Sequence, residues 1–498
     1  MERLQALRRI RLSEPLAEKV RPATLDDLVG QEEGLEALRA ALCGPNPQHV
    51  LLYGPPGVGK TAAARLILEE ARKDPLSPFG PDARLVEFDA TIARWDERGI
   101  ADPLLGSVHD PIYQGAGPLG VAGIPQPKPG AVTRAHGGIL FLDEIGELHP
   151  VQLNKLLKVL EDRRVFLESA YYNPHDPHIP PHIRDIFENG LPADFRLVGA
   201  TTRMPEEIPP ALRSRCVEIF FRPLKPKELK IIGERAAERL GYRLTPEAAE
   251  VLVAYSQSGR DTVNLVQMAA EVARRRGLSV LEKEHIEWVA SVGPYVPAPR
   301  PSFTRDPRVG SALALALQGP TSGLVLEVEA AVYLAQDKGD IRVSGLLEEE
   351  EVGRFRRTSM ARASVDNVLS MLRRFLAVDP HQYHVYLNFL GNLPLDGPSA
   401  GVAMGLALYS AFTGEKLKPL VAATGEVTLQ GDVRPVGGVR AKVEAAVDAG
   451  LEKVFIPQGN WQPSFAQLPI EVIPVGTFAE VLEGALWEGK SAAAHASR

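Results

Sequence analysis

The feature that most constrains the fold is a glycine-rich turn between a short apolar run and a helical segment. HVLLY at 49–53 has the character of a buried strand, GPPGVGKT follows at 54–61, and the next dozen residues have helical periodicity. Small residues in such a turn let successive backbone N–H groups surround phosphate oxygens, while the helix directs its positive end at the same anion. This arrangement predicts an α/β domain with a phosphate site at the end of a strand.

The turn also supplies the side chains that such a site needs. Lys60 is placed to reach the β and γ phosphates, and the Thr61 hydroxyl is placed to bind Mg²⁺. The residues predicted to bind the nucleotide here are Gly54, Pro55, Pro56, Gly57, Val58, Gly59, Lys60 and Thr61.

Two further buried-strand candidates, GGILFLDE and FRLVGATTR, indicate a parallel sheet with helices between the strands. The first ends in Asp143 and Glu144. We predict that Asp143 holds Mg²⁺ through water and that Glu144 polarises the water that attacks the γ phosphate. An acidic pair after a strand is by itself more often a solvated edge or a helix cap, so this prediction depends on the phosphate-binding turn before it.

Together these motifs resemble the AAA+ ATPases, a family whose members bind ATP with Mg²⁺. The resemblance implies that Thr202 in GATTR is the polar sensor after a strand. It also implies that Arg215 in ALRSRC is the arginine finger acting on a neighbouring subunit, with Arg213 as a second candidate, and that Arg260 in SGRDTVNL is the sensor of the helical lid. The alternative for a lone arginine at each of these positions is a surface cation or a salt bridge. A finger that acts on a neighbour implies a homo-oligomeric ring, expected to be a hexamer.

A second candidate site lies far along the chain, where LPLDGPSAG precedes an apolar helix at about 400–412. Ser399 would stand at the mouth of that helix, but a serine is a weak nucleophile without a base. The nearest histidines are His381 and His384, and the alternative base is a buried lysine whose pKa is lowered by its apolar surroundings. Lys442 follows in an amphipathic helix, although periodicity alone favours a solvated surface lysine there.

DGPSAG, followed by TGEVTLQGDVRPVGGVRAK, closely resembles the proteolytic domain of the Lon family. The resemblance implies a Ser-Lys dyad with Ser399 as nucleophile and Lys442 as general base. It further implies that Thr424 hydrogen-bonds the lysine and that Asp396 takes the acidic position before the serine, in orientation or gating. Arg440, the other basic residue of the helix motif, is not the base.

Over about residues 20–486 the chain resembles Lon proteases in the order AAA+ module, then protease. HDPIYQGAG and LEDRRVFLESAYY are most similar to the bacterial B-type, sporulation-associated branch. The large amino-terminal domain of A-type members and the membrane insertion of archaeal B-type members are both expected to be absent. We therefore expect an α/β AAA+ P-loop module with a helical lid, followed by an α+β Lon-type Ser-Lys protease domain.

The domain boundaries follow from changes in pattern and from a proline-rich stretch, GPYVPAPRPSFTRDPRVG. We predict a lead-in at 1–30, a nucleotide-binding subdomain at 31–222, a helical lid at 223–292, a linker at 293–309, a proteolytic domain at 310–486 and a tail at 487–498. The lid contains one clear helix start, with Thr245 as N-cap and Pro246 at the first helical position.

A long Gly- and Pro-rich connection from about 102 to 130 predicts a loop that is either functional or disordered. As AAA+ unfoldases grip polypeptide with an aromatic residue facing the pore, Tyr113, with Ile112 beside it, is the expected pore residue. The alternative is a tyrosine that anchors its own loop. Tyr171 and Tyr172 are more simply explained by packing than by a second ring of aromatic residues in the pore. Three histidines, His175, His178 and His182, have metal-like spacing, but a solvated loop is the favoured interpretation because no matching cysteine pair accompanies them.

Composition limits the function further. The 498 residues carry a net charge of -7, which disfavours dedicated nucleic-acid binding, and only two cysteines, which indicates a reducing compartment. No targeting or membrane-spanning segment is visible, so we expect a cytoplasmic protein. The favoured function is an ATP-dependent serine endopeptidase that unfolds, translocates and degrades unfolded or damaged proteins. The alternative is an AAA+ remodelling ATPase whose C-terminal domain only binds a partner.

Overall fold

The computed structural model describes residues 19–92, 102–109, 125–169, 172–175, 179–297, 303–317, 322–345, 351–352, 355–356, 360–390 and 398–487. The chain divides into two compact units, residues 1–298 and 299–498. The division falls inside the stretch predicted to be a linker. Each unit is described by itself.

The first unit alternates strands and helices. Its strands are β1 (His49–Tyr53), β2 (Leu85–Asp89), β3 (Gly106–His109), β4 (Gln126–Pro129), β5 (Ile139–Asp143), β6 (Arg164–Val165), β7 (Leu191–Pro192), β8 (Arg196–Thr201), β9 (Cys216–Phe220), β10 (Arg243–Leu244) and β11 (Val280–Leu281). Its helices are α1 (Glu32–Leu42), α2 (Lys60–Ala71), α3 (Ala131–Arg134), α4 (Pro150–Asp162), α5 (Pro181–Asn189), α6 (Pro210–Arg213), α7 (Pro226–Arg239), α8 (Pro246–Tyr255), α9 (Gly259–Arg275) and α10 (Lys283–Val292).

A five-stranded parallel sheet, in the order β2-β5-β8-β1-β9, forms the centre of this unit. Its central strands are apolar almost throughout because helices cover both faces of a parallel sheet. The parallel register aligns the carboxyl ends of β1, β5 and β8, with Tyr53 opposite Thr201. The phosphate-binding turn, the acidic pair and Thr202 therefore meet at one edge of the sheet, as the sequence predicted.

The connection between β2 and β5 differs from the loop expected from its Gly and Pro content. Strands β3 and β4 pair antiparallel, with Gly106 opposite Pro129, and so give this segment an ordered base. Glycine is required at 106, where φ is +107° and a Cβ would stand 2.6 Å from the Lys128 carbonyl oxygen. Residues 110–124, with the predicted pore residues Ile112 and Tyr113, lie outside the described residues.

Helices α7 to α10 pack around a shared apolar core and form the lid predicted for this region. Helix α8 begins as expected, since the Thr245 hydroxyl accepts a hydrogen bond from the Ala248 amide at 3.2 Å and Pro246 occupies the first turn. The short parallel pair β10–β11 was not predicted, because two-residue strands leave no periodicity to detect.

The second unit is built on a mixed sheet. Its strands are β12 (Ser311–Leu317), β13 (Gly323–Leu334), β14 (Ile341–Ser344), β15 (Glu351–Val352), β16 (Phe355–Arg356), β17 (Tyr383–Phe389), β18 (Val421–Ala423), β19 (Glu426–Val427), β20 (Val433–Arg434), β21 (Lys453–Pro457) and β22 (Glu471–Val475). Its helices are α11 (Met360–Leu376), α12 (Gly401–Thr413), α13 (Val439–Asp448) and α14 (Phe478–Ala485).

Seven of these strands form one sheet in the order β14-β17-β13-β12-β18-β21-β22. Alternation along β12 shows how the sheet is covered: Ala312, Ala314 and Ala316 join the core with α12, whereas Leu313 and Leu315 join the core with α13. Helix α12 is buried along most of its length, as its apolar sequence, broken by Ser410, predicted. Each buried Leu or Val side chain contributes about 1.5–3 kcal/mol.

In the part of the chain that the structure describes, no helix has both the length and the apolar character that crossing a membrane requires.

Candidate functional site

The phosphate-binding turn has the backbone shape that its glycines permit. Gly57 and Gly59 have φ values of +73° and +101°, and Gly59 caps α2. The Lys60 side chain is 7% exposed, and its ammonium donates hydrogen bonds to the carbonyl oxygens of Gly54 at 2.6 Å and Pro55 at 3.0 Å. Burial lowers the pKa of Lys60. The turn thus holds a partly desolvated cation next to the first turn of a helix.

The acidic pair and Thr202 are in direct contact. Glu144 lies just beyond β5 in the left-handed region, with φ of +48°, which is uncommon for a residue with a side chain. Its Oε2 accepts hydrogen bonds from both the amide and the hydroxyl of Thr202, each at 3.2 Å. Burial and the charge of Glu144 raise the pKa of Asp143. The site therefore pairs two carboxylates with a polar residue from the neighbouring strand.

The lid contacts the phosphate-binding turn at the start of α9. The Gly259 amide donates to the Gly57 carbonyl at 3.3 Å, and a Cβ at Gly57 would lie 2.8 Å from Cβ of Ser258. Arg260, the predicted lid sensor, is exposed in the first turn of α9. Arg260 lies beside this turn, and its role as lid sensor stays a prediction from the family resemblance.

The two finger candidates have different surroundings. The Arg213 side chain contacts the edge strand β9. Its guanidinium donates to Glu218 at 2.6 Å and 3.2 Å, and the hydroxyl of the buried Tyr53 donates to the same carboxylate at 2.8 Å. The Arg213–Glu218 ion pair lowers the pKa of Glu218. Arg215 instead pairs with Glu161 and donates to the Ala211 carbonyl at 2.7 Å. Both arginines have a carboxylate partner inside the unit, but Glu161 is more exposed than Glu218. An exposed ion pair is the weaker one, so Arg215 is more easily released to act as the finger.

The second site is built where α12 begins. A short turn at Pro398–Ala400 precedes the helix, and Ser399 is half-buried there. The Ser399 carbonyl accepts hydrogen bonds from the Gly425 amide at 2.8 Å and from the Thr424 hydroxyl at 3.2 Å. These two contacts fix the backbone of the serine against the strand segment that follows β18.

Lys442 also contacts Thr424. Its side chain is 1% exposed, with Val439 and Val443 of the same helix also buried, and its amine donates to the Thr424 hydroxyl at 3.4 Å. Burial lowers the pKa of Lys442 from its ordinary value of 10.5 to about 8. A substantial neutral fraction at physiological pH is what a lysine needs in order to accept a proton.

Thr424 is therefore the shared partner of both members of the predicted dyad. It is fully buried, accepts from the lysine and donates to the serine carbonyl. Among the described residues, no hydrogen bond joins the Ser399 hydroxyl directly to the Lys442 amine. Catalytic hydrogen bonds often shorten only when substrate binds, so this geometry suits a resting enzyme. The sequence placed the three residues together only through the family resemblance, because they come from separate elements.

The burial of Lys442 depends on a close approach that no sequence pattern indicated. Strand β13 starts directly over α13, and a Cβ at Gly323 would stand 2.1 Å from the Ala441 carbonyl oxygen and 2.8 Å from the Cα of Lys442. Gly323 was not among the predicted site residues. A glycine at the start of a strand is uninformative until the element that crosses it is known.

We expect Gly323→Ala to lower peptide hydrolysis by about tenfold or more, since strand and helix must separate and carry Lys442 with them. ATP hydrolysis by the first unit should change by less than about twofold. The matched control is Gly437→Ala, at a position with no heavy atom within 4 Å of the added Cβ. Steady-state peptidase and ATPase rates of both variants test this, and equal peptidase rates in the two variants would contradict the role of Gly323.

Several predicted residues lie outside the described residues or away from both sites. Asp396, Tyr171 and His178 belong to the first group. Tyr172 packs on Phe187 with ring centroids 4.3 Å apart, as the packing interpretation expected. Among the described residues no cluster of three or more histidine, cysteine or carboxylate side chains is arranged for a metal ion.

Comparison with known proteins gives two family matches. Residues 296–488 match the family described as Lon protease (S16) C-terminal proteolytic domain. Residues 24–177 match the family described as magnesium chelatase, subunit ChlI. The matched segments correspond to the second unit and to the region that contains the phosphate-binding turn and the acidic pair.

Whole-chain relatives agree with these matches. The chain is 56% identical over 488 residues to Lon protease 2 of Bacillus subtilis, covering 97% of this chain and 88% of that protein. It is 30% identical over 435 residues to the archaeal Lon protease of Thermococcus kodakarensis, covering 78% of this chain and 65% of that protein. It is 28% identical over 516 residues to the Lon protease of Chloroflexus aurantiacus, covering 96% and 54% respectively.

Proposed function

This chain belongs to the Lon protease family and is an ATP-dependent serine protease, and from that premise we propose that Ser399 is its nucleophile and Lys442 its general base. The expected fold, an AAA+ module followed by a Lon-type proteolytic domain, is confirmed by the same matches. The alternative, a C-terminal domain that only binds a partner, does not explain why a lysine is buried beside Thr424.

The observation that carries the assignment is the link through Thr424. A lysine amine that is 1% exposed donates to the same hydroxyl that donates to the Ser399 carbonyl. Burying a lysine side chain raises the free energy of the folded state, whereas a lysine on the exposed face of a helix carries no such penalty. A lysine at this buried position therefore favours a chemical role.

In the proposed reaction, the Lys442 Nζ takes the proton of the Ser399 hydroxyl as the Oγ attacks the carbonyl carbon of the scissile peptide. The amine then returns the proton to the leaving nitrogen, leaving an acyl-enzyme. A water deprotonated by the same lysine then attacks the ester carbon. The bond to Ser399 Oγ breaks, the lysine returns the proton to Oγ, and the second product leaves as the acid. Asp396 is proposed to act in orientation or gating before the serine.

The nucleotide-binding module would supply the force for unfolding and translocation. We propose that Gly54 to Thr61 bind the phosphates, that Glu144 activates the hydrolytic water and that Thr202 senses the γ phosphate. Arg260 would act from the lid, and Arg215 would act on the nucleotide of a neighbouring subunit.

Mg²⁺ fits the residues present. The raised pKa of Asp143, caused by burial and by the charge of Glu144, marks a desolvated acidic pair that a hard divalent cation would stabilise. Thr61 and Asp143 would hold the ion, which would neutralise phosphate charge when bound.

A homo-oligomeric ring, expected to be hexameric, that degrades unfolded or damaged proteins in the cytoplasm is the proposed working form. Assignment to the bacterial B-type branch and the domain boundaries given above stay predictions from the sequence.

The experiment that tests the proposal is degradation of casein by wild type and Ser399→Ala, each with and without ATP. We expect the variant to lose casein cleavage by at least about 1,000-fold and to keep an ATPase rate within about twofold of wild type. The control is Ser410→Ala, a buried serine of α12 that bonds the Glu415 carbonyl rather than the site. Unchanged casein cleavage in Ser399→Ala would eliminate this nucleophile.

A further inference from the structure

A cavity opens at the end of the parallel sheet opposite to the phosphate-binding turn. It encloses about 260 Å³, room for far more than one water molecule, where β1, β8 and β9 begin. We call it the amino-edge cavity. The charged and polar side chains that line it and are used here are those of His49, Arg163, Asp194, Arg196 and Arg215.

Three guanidinium groups line this cavity against the Asp194 carboxylate, and Glu161, the partner of Arg215, adds a second carboxylate nearby. The remaining positive charge makes the cavity a candidate anion site. Arg196 and Arg163 differ in their contacts. Arg196 is occupied in holding the walls, since it donates to the Pro47 carbonyl at 2.6 Å and to Asp194 at 3.0 Å. Arg163 lies 3.6 Å from the other oxygen of Asp194 and keeps 65% of its side chain exposed. Arg163 is thus oriented by Asp194 and free to move toward a ligand.

The backbone under Arg163 is anchored on both sides. Its amide donates to the Val159 carbonyl at 2.8 Å and its carbonyl accepts from the Ala193 amide at 2.9 Å. Its φ is +56°, a conformation that Gly or Asn adopts more readily at the end of a helix. An arginine at a strained backbone position indicates that its side chain has a functional role.

His49 adds a neutral donor to the same wall. Its Nδ1 accepts from the Leu197 amide at 3.0 Å, which leaves the hydrogen on Nε2. Burial and the nearby Arg196 lower the pKa of His49 to about 4, so the ring adds no charge near neutral pH.

The nucleotide of the same subunit cannot be the ligand. His49 opens β1 and Gly54 follows it, so the five residues of the strand separate the cavity from the phosphate-binding turn by roughly 16 Å. In a closed ring, however, each subunit presents one edge to the opposite edge of its neighbour. Arg215, the proposed finger, lines this cavity.

We propose that the amino-edge cavity receives the phosphate tail of the nucleotide bound to the neighbouring subunit, and that Arg163 acts there in trans beside Arg215. The inference rests on the proposed ring and on the proposed role of Arg215. Arg215 leaves Glu161 when the phosphate arrives, and Arg163 moves from Asp194 to the same anion. The two guanidinium groups then stabilise the charge that develops during hydrolysis.

The first test is ATP hydrolysis by Arg163→Gln, a change that removes the charge and keeps a long side chain at the strained position. We expect the kcat of ATP hydrolysis to fall by about tenfold or more with ATP binding retained. The matched control is Arg164→Gln, whose side chain donates to the Asn189 carbonyl at 3.4 Å instead of lining the cavity. Equal ATPase rates in wild type and Arg163→Gln would overturn the proposal.

Mixing subunits then separates action in trans from a structural role. An Arg163→Gln subunit keeps an intact hydrolytic site, and a Glu144→Gln subunit keeps an intact amino-edge cavity. In a random equal mixture, roughly one quarter of the interfaces join the hydrolytic site of the first variant to the cavity of the second. The ATPase rate of the mixture should exceed the sum of the separate rates. Mixing Arg215→Ala with Glu144→Gln is the positive control. If the ATPase rate recovers in the mixture that contains Arg215→Ala but not in the one that contains Arg163→Gln, this inference alone is overturned. If the ATPase rate recovers in neither mixture, the proposed role of Arg215 as finger is overturned as well.

Discussion

Replacing Lys442 by methionine is expected to abolish peptide hydrolysis, by at least about 1,000-fold, and at the same time to stabilise the proteolytic unit. Methionine fills a similar apolar space but cannot accept a proton from Ser399. The gain in stability has a separate cause. The folded chain must bury an ammonium below the lowered pKa of Lys442, about 8, whereas the unfolded chain leaves it in water.

The pH dependence gives the sign of that effect. Between about pH 8 and 10.5 the unfolded chain binds more protons than the folded one, so the free energy of unfolding of the wild type rises with pH in this window. Below it the penalty is fully present, about 3 kcal/mol. Lys442→Met should therefore melt at a higher temperature than wild type at pH 7, and the difference should close as the pH approaches the upper end of the window.

Calorimetry at several pH values, with peptidase rates on the same samples, measures both effects. The matched control is Lys453→Met, a lysine of β21 that pairs with Glu471 at 3.0 Å and lies outside the site. That variant should keep its peptidase activity and gain no stability. A Lys442→Met protein that keeps peptidase activity would remove the proposed base, and one that is inactive and less stable would contradict the burial penalty.

Glu144→Gln should lower ATP hydrolysis by about 100-fold or more while ATP still binds. The amide oxygen of glutamine can accept the two hydrogen bonds that Thr202 donates to Glu144, so the local structure is retained and only the base is lost. Degradation of folded or loosely folded protein substrates should fall in proportion. Hydrolysis of a short peptide, which needs no unfolding, should stay within about twofold of wild type.

The comparison variant is Glu147→Gln, three residues further along, whose carboxylate pairs with Arg203 at 2.6 Å on the surface. It should reduce neither activity by more than about twofold, because a surface ion pair contributes little. Casein degradation at the wild-type rate in Glu144→Gln with ATP present would break the proposed coupling between the two units.

The nucleotide site was predictable from the sequence because its chemistry is local. A strand, a glycine-rich turn and a helix follow one another within 49–71, and the parallel register brings the acidic pair of β5 to the same edge. Thr202 was assigned by resemblance to the family. Its two hydrogen bonds to Glu144 place it beside the acidic pair, and its role as sensor stays a prediction.

The proteolytic site was less accessible to local reasoning. Periodicity favoured a solvated Lys442, and only the family resemblance indicated a catalytic one. The side chain is buried because β13 passes over α13 at Gly323, a contact between segments more than 100 residues apart in the chain. Similarly, the family resemblance ranked Arg215 before Arg213 as the finger, and only the structure shows that the carboxylate paired with Arg215 is the more exposed of the two partners.

The most direct measurement of the central claim, that Lys442 is a base with a lowered pKa, is the pH dependence of kcat/KM for a short peptide cleaved by the wild-type chain. This parameter reports groups of the free enzyme, and a short peptide removes any dependence on ATP-driven unfolding. The account predicts that kcat/KM rises about tenfold per pH unit below an inflection at about pH 8 and levels off above it. A profile that is flat from about pH 6 to about pH 9, or that inflects near the ordinary lysine value, would contradict it.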